Sequence, residues 1–118
     1  MVIKRKEEIR EEPVEEKEVK DVMRRILIGP DDGKTSIIMR HFKLLPGGHT
    51  PLHSHTHEHV VKVESGRGVV VDEYGKENVV SEGYCLLIEG GRNHQFRNPY
   101  HKPFEFLCII KSSMRELT

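Results

Sequence analysis

From residue 22 onward, apolar positions come in short runs cut by turn residues. VMRRILI stops at GPDDGK, TSIIMRHFKLL at PGG, EHVVKVE at SGRG and VVVDE at YGKEN. NVVS precedes EG, YCLLI precedes EGGRN, HQFR precedes NPYHKP, and FEFLCIIK follows. The runs are rich in β-branched and aromatic residues, and Gly, Pro, Asn or Asp interrupts them. No segment beyond residue 20 keeps a helical period. The pattern predicts an all-β chain of about nine or ten short strands, arranged as a sandwich or jelly-roll barrel.

Residues 1–20 have a different texture. They carry 13 of the 38 formal charges and no sustained apolar period. We expect a charged N-terminal arm over 1–20, mobile or loosely docked around Pro13, and a single domain over 21–118. Val2, Ile3 and Ile9 are the arm's candidates for docking on a neighbouring subunit.

Alternation along a strand assigns faces, because successive side chains point to opposite sides of the sheet. In SIIMRHFKLL, Ser36, Ile38, Arg40, Phe42 and Leu44 share one face, so Arg40 is expected among apolar neighbours. A buried arginine requires a carboxylate partner or an anionic ligand. In FEFLCIIK, Phe104, Phe106, Cys108 and Ile110 share a face opposite Glu105 and Lys111. Arg40, Phe106 and Cys108 are therefore candidates for a pocket wall. Cys108 reads either as a plain core cysteine or as a redox-sensitive residue beside a site.

The same parity places histidines inside. His59 falls on the face of Val61 and Val63, while Glu58 points the other way. His94 falls with Phe96, opposite Gln95 and Arg97. Several interior histidines are costly unless something satisfies their ring nitrogens. His59 also belongs to HSHTHEH, residues 53–59, in which histidine occupies every second position. A straight strand would separate His53 and His59 by about 20 Å, far beyond the reach of one ion. A bend within Thr56-His57-Glu58 would let His53 and His55 face inward from one strand and His59 from the next. His57 is then expected at the bend, outside the ligand set. The alternative is a solvated histidine loop. His41, His49 and His101 lack such support and are expected to be ordinary surface residues.

Composition narrows the partners. In 118 residues, formal net charge is zero, which disfavours nucleic acid or an anionic membrane as the main partner. No apolar run approaches the roughly 18 residues of a membrane-spanning helix, and the charged beginning has no secretory segment, so a cytoplasmic location is expected. Cys85 and Cys108 lie in separate apolar runs and are expected as buried free thiols. Few Asn and Gln residues beside many Glu, Lys and Arg hint at a thermophilic source.

PGGHTPLHSHTHEHVVKVESGRG resembles the first cupin motif, and GYCLLIEGGRNHQFRN resembles the second, running from Gly83 through His94 to Asn98. Glu89-Gly90-Gly91 replaces the usual Pro-x-Gly turn. Flanking strands extend the likeness over about residues 22–112. The resemblance implies a cupin-type jelly-roll barrel with His53, His55, His59 and His94 as metal ligands. Histidine at 59, where cupins commonly have glutamate, is similar to the single-domain, four-histidine manganese cupins of thermophilic bacteria. Manganese is accordingly the expected ion, with iron, zinc, nickel or copper also compatible with imidazole. The likeness further implies a homodimer and a small-molecule ligand.

Cupin resemblance does not by itself determine an activity. The first expectation is a metal-dependent oxidoreductase of dioxygenase type, acting on a small oxygen-rich molecule. Its rival is a non-catalytic module that binds a metal or small ligand. A structural zinc site fits less well, because such sites usually use cysteine and a closed shell. A full barrel in this length leaves no room for a helix-turn-helix reader of DNA. No proton-shuttling group is evident from the sequence, although Tyr84, Cys108 and Arg40 are candidate neighbours.

Overall fold

The computed structural model describes residues 1–113; the expected domain's last residues, 114–118, lie outside the described residues. Among the described residues, one 3-10 turn over 6–8 precedes nine strands. They are β1 (Glu12–Pro13), β2 (Lys20–Ile28), β3 (Ile37–His49), β4 (His59–Ser65) and β5 (Arg67–Val71). β6 (Glu77–Ser81), β7 (Cys85–Ile88), β8 (Gln95–Arg97) and β9 (Phe104–Lys111) follow. The fold is all-β, a curled antiparallel sheet of jelly-roll type in the order β6-β5-β8-β3-β9-β4-β7. β2 adds to β3 and β1 adds to β2.

The concave side holds the core, and strand alternation selects its residues. Phe104, Phe106, Cys108 and Ile110 of β9 are all buried, as are Ile38, Phe42 and Leu44 of β3. His59, Val61 and Val63 of β4 face the same way. Four phenylalanines meet at the centre. Phe106 stacks on Phe96 with centroids 4.5 Å apart and lies 5.5 Å from Phe42 and 5.2 Å from Phe104. Aromatic pairs at these spacings add stabilisation beyond the area they bury.

Two expectations change here. PGG at 46–48 does not end its strand, since β3 continues through it to His49. The register against β2 slips there, from Val22↔Leu44 to Lys20↔His49. Gly48 makes the bulge feasible, because a Cβ at that position would meet Asp21 O at 2.7 Å and Lys20 O at 2.9 Å. The bulge carries β3 from β9 onto β8, where His49 pairs with Arg97. Cys85, expected to be buried, is exposed. β7 is an edge strand, and Cys85 and Leu87 take its outer face.

The arm lies against the outer face of β2 and β3. Glu11 pairs with Arg25 at 2.9 Å and with Lys43 at 3.0 Å. The Arg25 Nε donates to Ile9 O at 3.0 Å, and Val14 joins the buried cluster. Val2 and Ile3 remain exposed. This cover explains a third correction: His41, expected on the surface, is only 1% exposed. Its Nε2 lies 3.0 Å from Glu105 Oε1 on β9. Alternation placed it correctly on the outer face, but a second layer buries that face. His49 is half-buried and His101 is exposed. Among the described residues, no helix is long and apolar enough to cross a membrane.

Candidate metal centre

His53 and His94 meet first through their backbones. They form an isolated antiparallel bridge in which His53 N donates to His94 O at 3.1 Å and His94 N donates to His53 O at 2.9 Å. This bridge joins the chain entering β4 to the chain entering β8. Thr50 sets the register just before it: its N donates to Phe96 O, and its hydroxyl accepts from Phe96 N, both at 2.9 Å.

The bend expected within Thr56-His57-Glu58 is present at Thr56 and His57. The loop replacing the usual Pro-x-Gly closes over it. Gly91 N donates to His55 O, and a Cβ on Gly90 would meet Thr56 O at 2.5 Å. Only glycine allows this approach of two backbones. The outcome is that β4 starts with His59 aimed inward.

The imidazoles form one cluster. Ring centroids are 4.3 Å apart for His53–His55, 5.2 Å for His53–His94 and 4.8 Å for His55–His59. His55–His94 and His59–His94 follow at 5.7 and 5.5 Å. The ligand-capable nitrogens of His53, His55 and His94 lie within 4.8 Å of one another, as do those of His55, His57 and His59. His57, expected apart from the site, is thus buried within the cluster and stacked on His55 and His59. Sequence parity could not show this, because a bend abolishes the strand's alternation.

Hydrogen bonds orient two of the rings. His94 Nδ1 donates to Arg92 O at 3.0 Å, which leaves Nε2 with its lone pair. His59 Nδ1 lies 3.2 Å from Cys108 Sγ, while the buried His59 Nε2 has no hydrogen-bond partner. A buried ring nitrogen left over in a histidine cluster fits a metal, since ligating imidazoles usually bond through their other nitrogen to an acceptor. Burial, helped by Arg40 and the neighbouring histidines, pushes His59 down to about 2. Burial also lowers His94, partly opposed by its bond to Arg92 O. Both rings are therefore neutral near pH 7, the form that binds a metal. The histidines could hold a metal ion.

Below the cluster is a small cavity of about 10 Å³, room for roughly one water molecule. His53, His59 and His94 form its polar side, and Phe42, Phe96 and Phe106 its apolar side, with Thr50, Arg40 and Cys108 completing it. Of the sequence candidates, Arg40, Phe106 and Cys108 all line this space. Thr50, Phe42 and Phe96 do so as well and were not singled out; parity grouped Phe42 with Arg40 and Phe96 with His94. The Arg40 guanidinium sits 4.9 Å over the Phe42 ring and its Nη2 donates to Cys108 Sγ at 3.2 Å. Burial raises the Cys108 thiol's pKa, and Arg40 partly offsets this. Tyr84, the other candidate neighbour, is exposed.

Comparison with known proteins matches residues 40–110 to the cupin domain. The chain is 36% identical over 75 residues to the 1-methylthio-D-xylulose 5-phosphate methylsulfurylase of Rhodospirillum rubrum, a match covering 63% of this chain and 47% of that protein. It thus spans about half the length of this curated relative. Among solved structures, the polyketide cyclase RemF from Streptomyces resistomycificus superposes with a TM-score of 0.91 at 27% identity, covering 95% of this chain and 80% of that one. A predicted oxalate decarboxylase from Thermotoga maritima gives 0.82 at 27%, covering 94% and 98%.

Proposed function

The chain belongs to the cupin family, and on that premise we propose that it is a divalent-metal enzyme acting on a small, oxygen-rich molecule. His53, His55, His59 and His94 hold the ion, with manganese as the first choice. The observation that carries this reading is His59, a buried neutral imidazole whose Nε2 has no hydrogen-bond partner beside the paired His53 and His94. His57 is left out of the set because it stands at the bend itself, stacked on His55 and His59.

A divalent ion held by neutral imidazoles keeps its full charge and supplies Lewis-acid polarisation of a carbonyl or enol oxygen. The chain's own residues then decide what binds. Arg40 offers a second cation in the cavity wall, suited to an enolate, carboxylate or phosphate oxygen. Phe42, Phe96 and Phe106 exclude water, which strengthens the polar contacts beside them. The named relatives, a cyclase, a predicted decarboxylase and a methylsulfurylase of a sugar phosphate, support substrates with several oxygens. Dioxygenase-type oxidation is the reaction we place first.

The row Leu87, Val60, Ile109 and Met39 crosses four strands on the outer face, with Leu87 66% and Val60 49% exposed. This row supports a homodimer, which sedimentation of the purified chain would test.

The test of the function is to purify the untagged chain, quantify its metals and follow oxygen uptake with small diketones and enols. About one transition-metal ion per chain is expected, lost in the His53→Ala, His94→Ala double variant. Unchanged stoichiometry in that variant would sink the assignment. Metal uptake without substrate turnover would favour the non-catalytic ligand-binding module.

A further inference from the structure

The strand register brings two functional side chains to the sulfur of a third. β9 lies between β3 and β4, and Cys108 is paired with Arg40 on one side and with Val61 on the other. His59 sits two residues from Val61 on the same inward face. Cys108 Sγ consequently has Arg40 Nη2 at 3.2 Å and His59 Nδ1 at 3.2 Å. At 2% exposure, water does not compete for these contacts.

The two ring nitrogens of His59 have separate surroundings, Nδ1 facing sulfur and Nε2 buried with no hydrogen-bond partner. A neutral imidazole has one donor and one acceptor nitrogen, and the bond made by one determines what the other can do. His94 is fixed by a backbone carbonyl, which only accepts. For His59 the available acceptor is a side chain. We propose that Cys108 is a positioning residue for the metal centre: its sulfur, held by Arg40, accepts a hydrogen bond from His59 Nδ1–H and keeps the Nε2 lone pair directed at the ion. This rests on the metal reading above and assigns Cys108 a role through His59.

Arg40 is a natural partner for that role. Its N–H groups can only donate, so its bond to Sγ fixes the sulfur without supplying a competing acceptor. The same guanidinium lines the cavity. An anion arriving there would meet the group that steadies the sulfur.

The test compares the wild-type chain with Cys108→Val and Cys108→Ser. Valine fills similar space without an acceptor, while serine restores one. Long-range proton–nitrogen NMR of the metal-free chain reads the His59 tautomer, with His59→Gln to assign the signals. Titration with Co²⁺ reads affinity and the ligand field. We expect an Nδ1-protonated His59 in the wild type, loss of that preference in Cys108→Val, and recovery in Cys108→Ser. Co²⁺ affinity should fall about 10–100-fold in the valine variant, the range typical of losing an outer partner of a metal ligand, and recover with serine. The same tautomer and affinity in wild type and Cys108→Val would overturn the role of Cys108. Failure of the wild type to bind Co²⁺ or Mn²⁺ would instead overturn the metal reading, and the NMR comparison would still decide whether Cys108 orients His59.

Discussion

His53 and His94 are joined by two backbone hydrogen bonds, so the two halves of the histidine cluster are already held together by the sheet. Pre-assembly of this kind means that an ion binds the folded chain much better than the unfolded one. Mn²⁺ should therefore raise the unfolding midpoint of the wild type, by about 2.7 kcal/mol of stability when free ion exceeds its dissociation constant roughly 100-fold. His94→Ala should lose most of this increment, and His57→Ala should retain it. Thermal melts with Mn²⁺ and with chelator check both.

Asn98 closes the second motif, and its side chain makes three hydrogen bonds. Its Nδ2 donates to Leu44 O and Lys102 O, each at 2.8 Å, and its Oδ1 accepts from Tyr100 N at 3.0 Å. Its backbone also pairs with Gly47 and Gly48, next to the strand end that delivers Thr50. Asn98→Ala should cost about 2–3 kcal/mol, because buried backbone groups lose partners. Urea unfolding should show a lower midpoint with an unchanged slope.

Gly90→Ala tests the loop that replaced Pro-x-Gly. Its Cβ would collide with Thr56 O, so the bend carrying His57 must shift or the loop must lift. We expect destabilisation of about 1–3 kcal/mol together with weaker metal binding, read by calorimetry. Normal affinity in a stable Gly90→Ala protein would show that the closure does not position the cluster.

His41 predicts a pH dependence remote from the histidine cluster. Burial lowers its pKa below the usual 6.5, opposed by the Glu105 carboxylate and reinforced by Lys6 and Arg25. The unfolded chain then takes up a proton that the folded chain resists. Its contribution to stability is complete above about pH 6.5 and is lost as pH falls through the lowered folded value. Glu105→Gln removes the opposing charge, so the loss should extend to lower pH. His41→Leu should flatten this part of the curve. Denaturant midpoints between pH 7 and 5 in the presence of chelator, compared across the three proteins, measure it.

Much of this molecule is written in period-two alternation. That pattern alone marked the strands, the buried faces of Arg40, Phe106 and Cys108, and the inward aim of His59 and His94. It succeeds because a strand's side chains must alternate wherever one face meets a core. The bend at Thr56 and His57 was also legible, since four alternating histidines cannot reach a common point along an extended chain.

What alternation cannot convey is what comes to lie on a face, or how a bend turns. The burial of His41 came from the charged arm covering β2 and β3. His57 joined the cluster because Gly90 lets a second loop press on the bend. β3 ran through its glycines because β2 and β8 supplied partners on both sides of the bulge. Most decisively, Arg40 and His59 converge on the Cys108 sulfur through the register of three strands. The sequence determined which residues face inward, because that is a local property of the backbone. Which of them touch was decided by the tertiary structure, because register is set by pairings between distant segments.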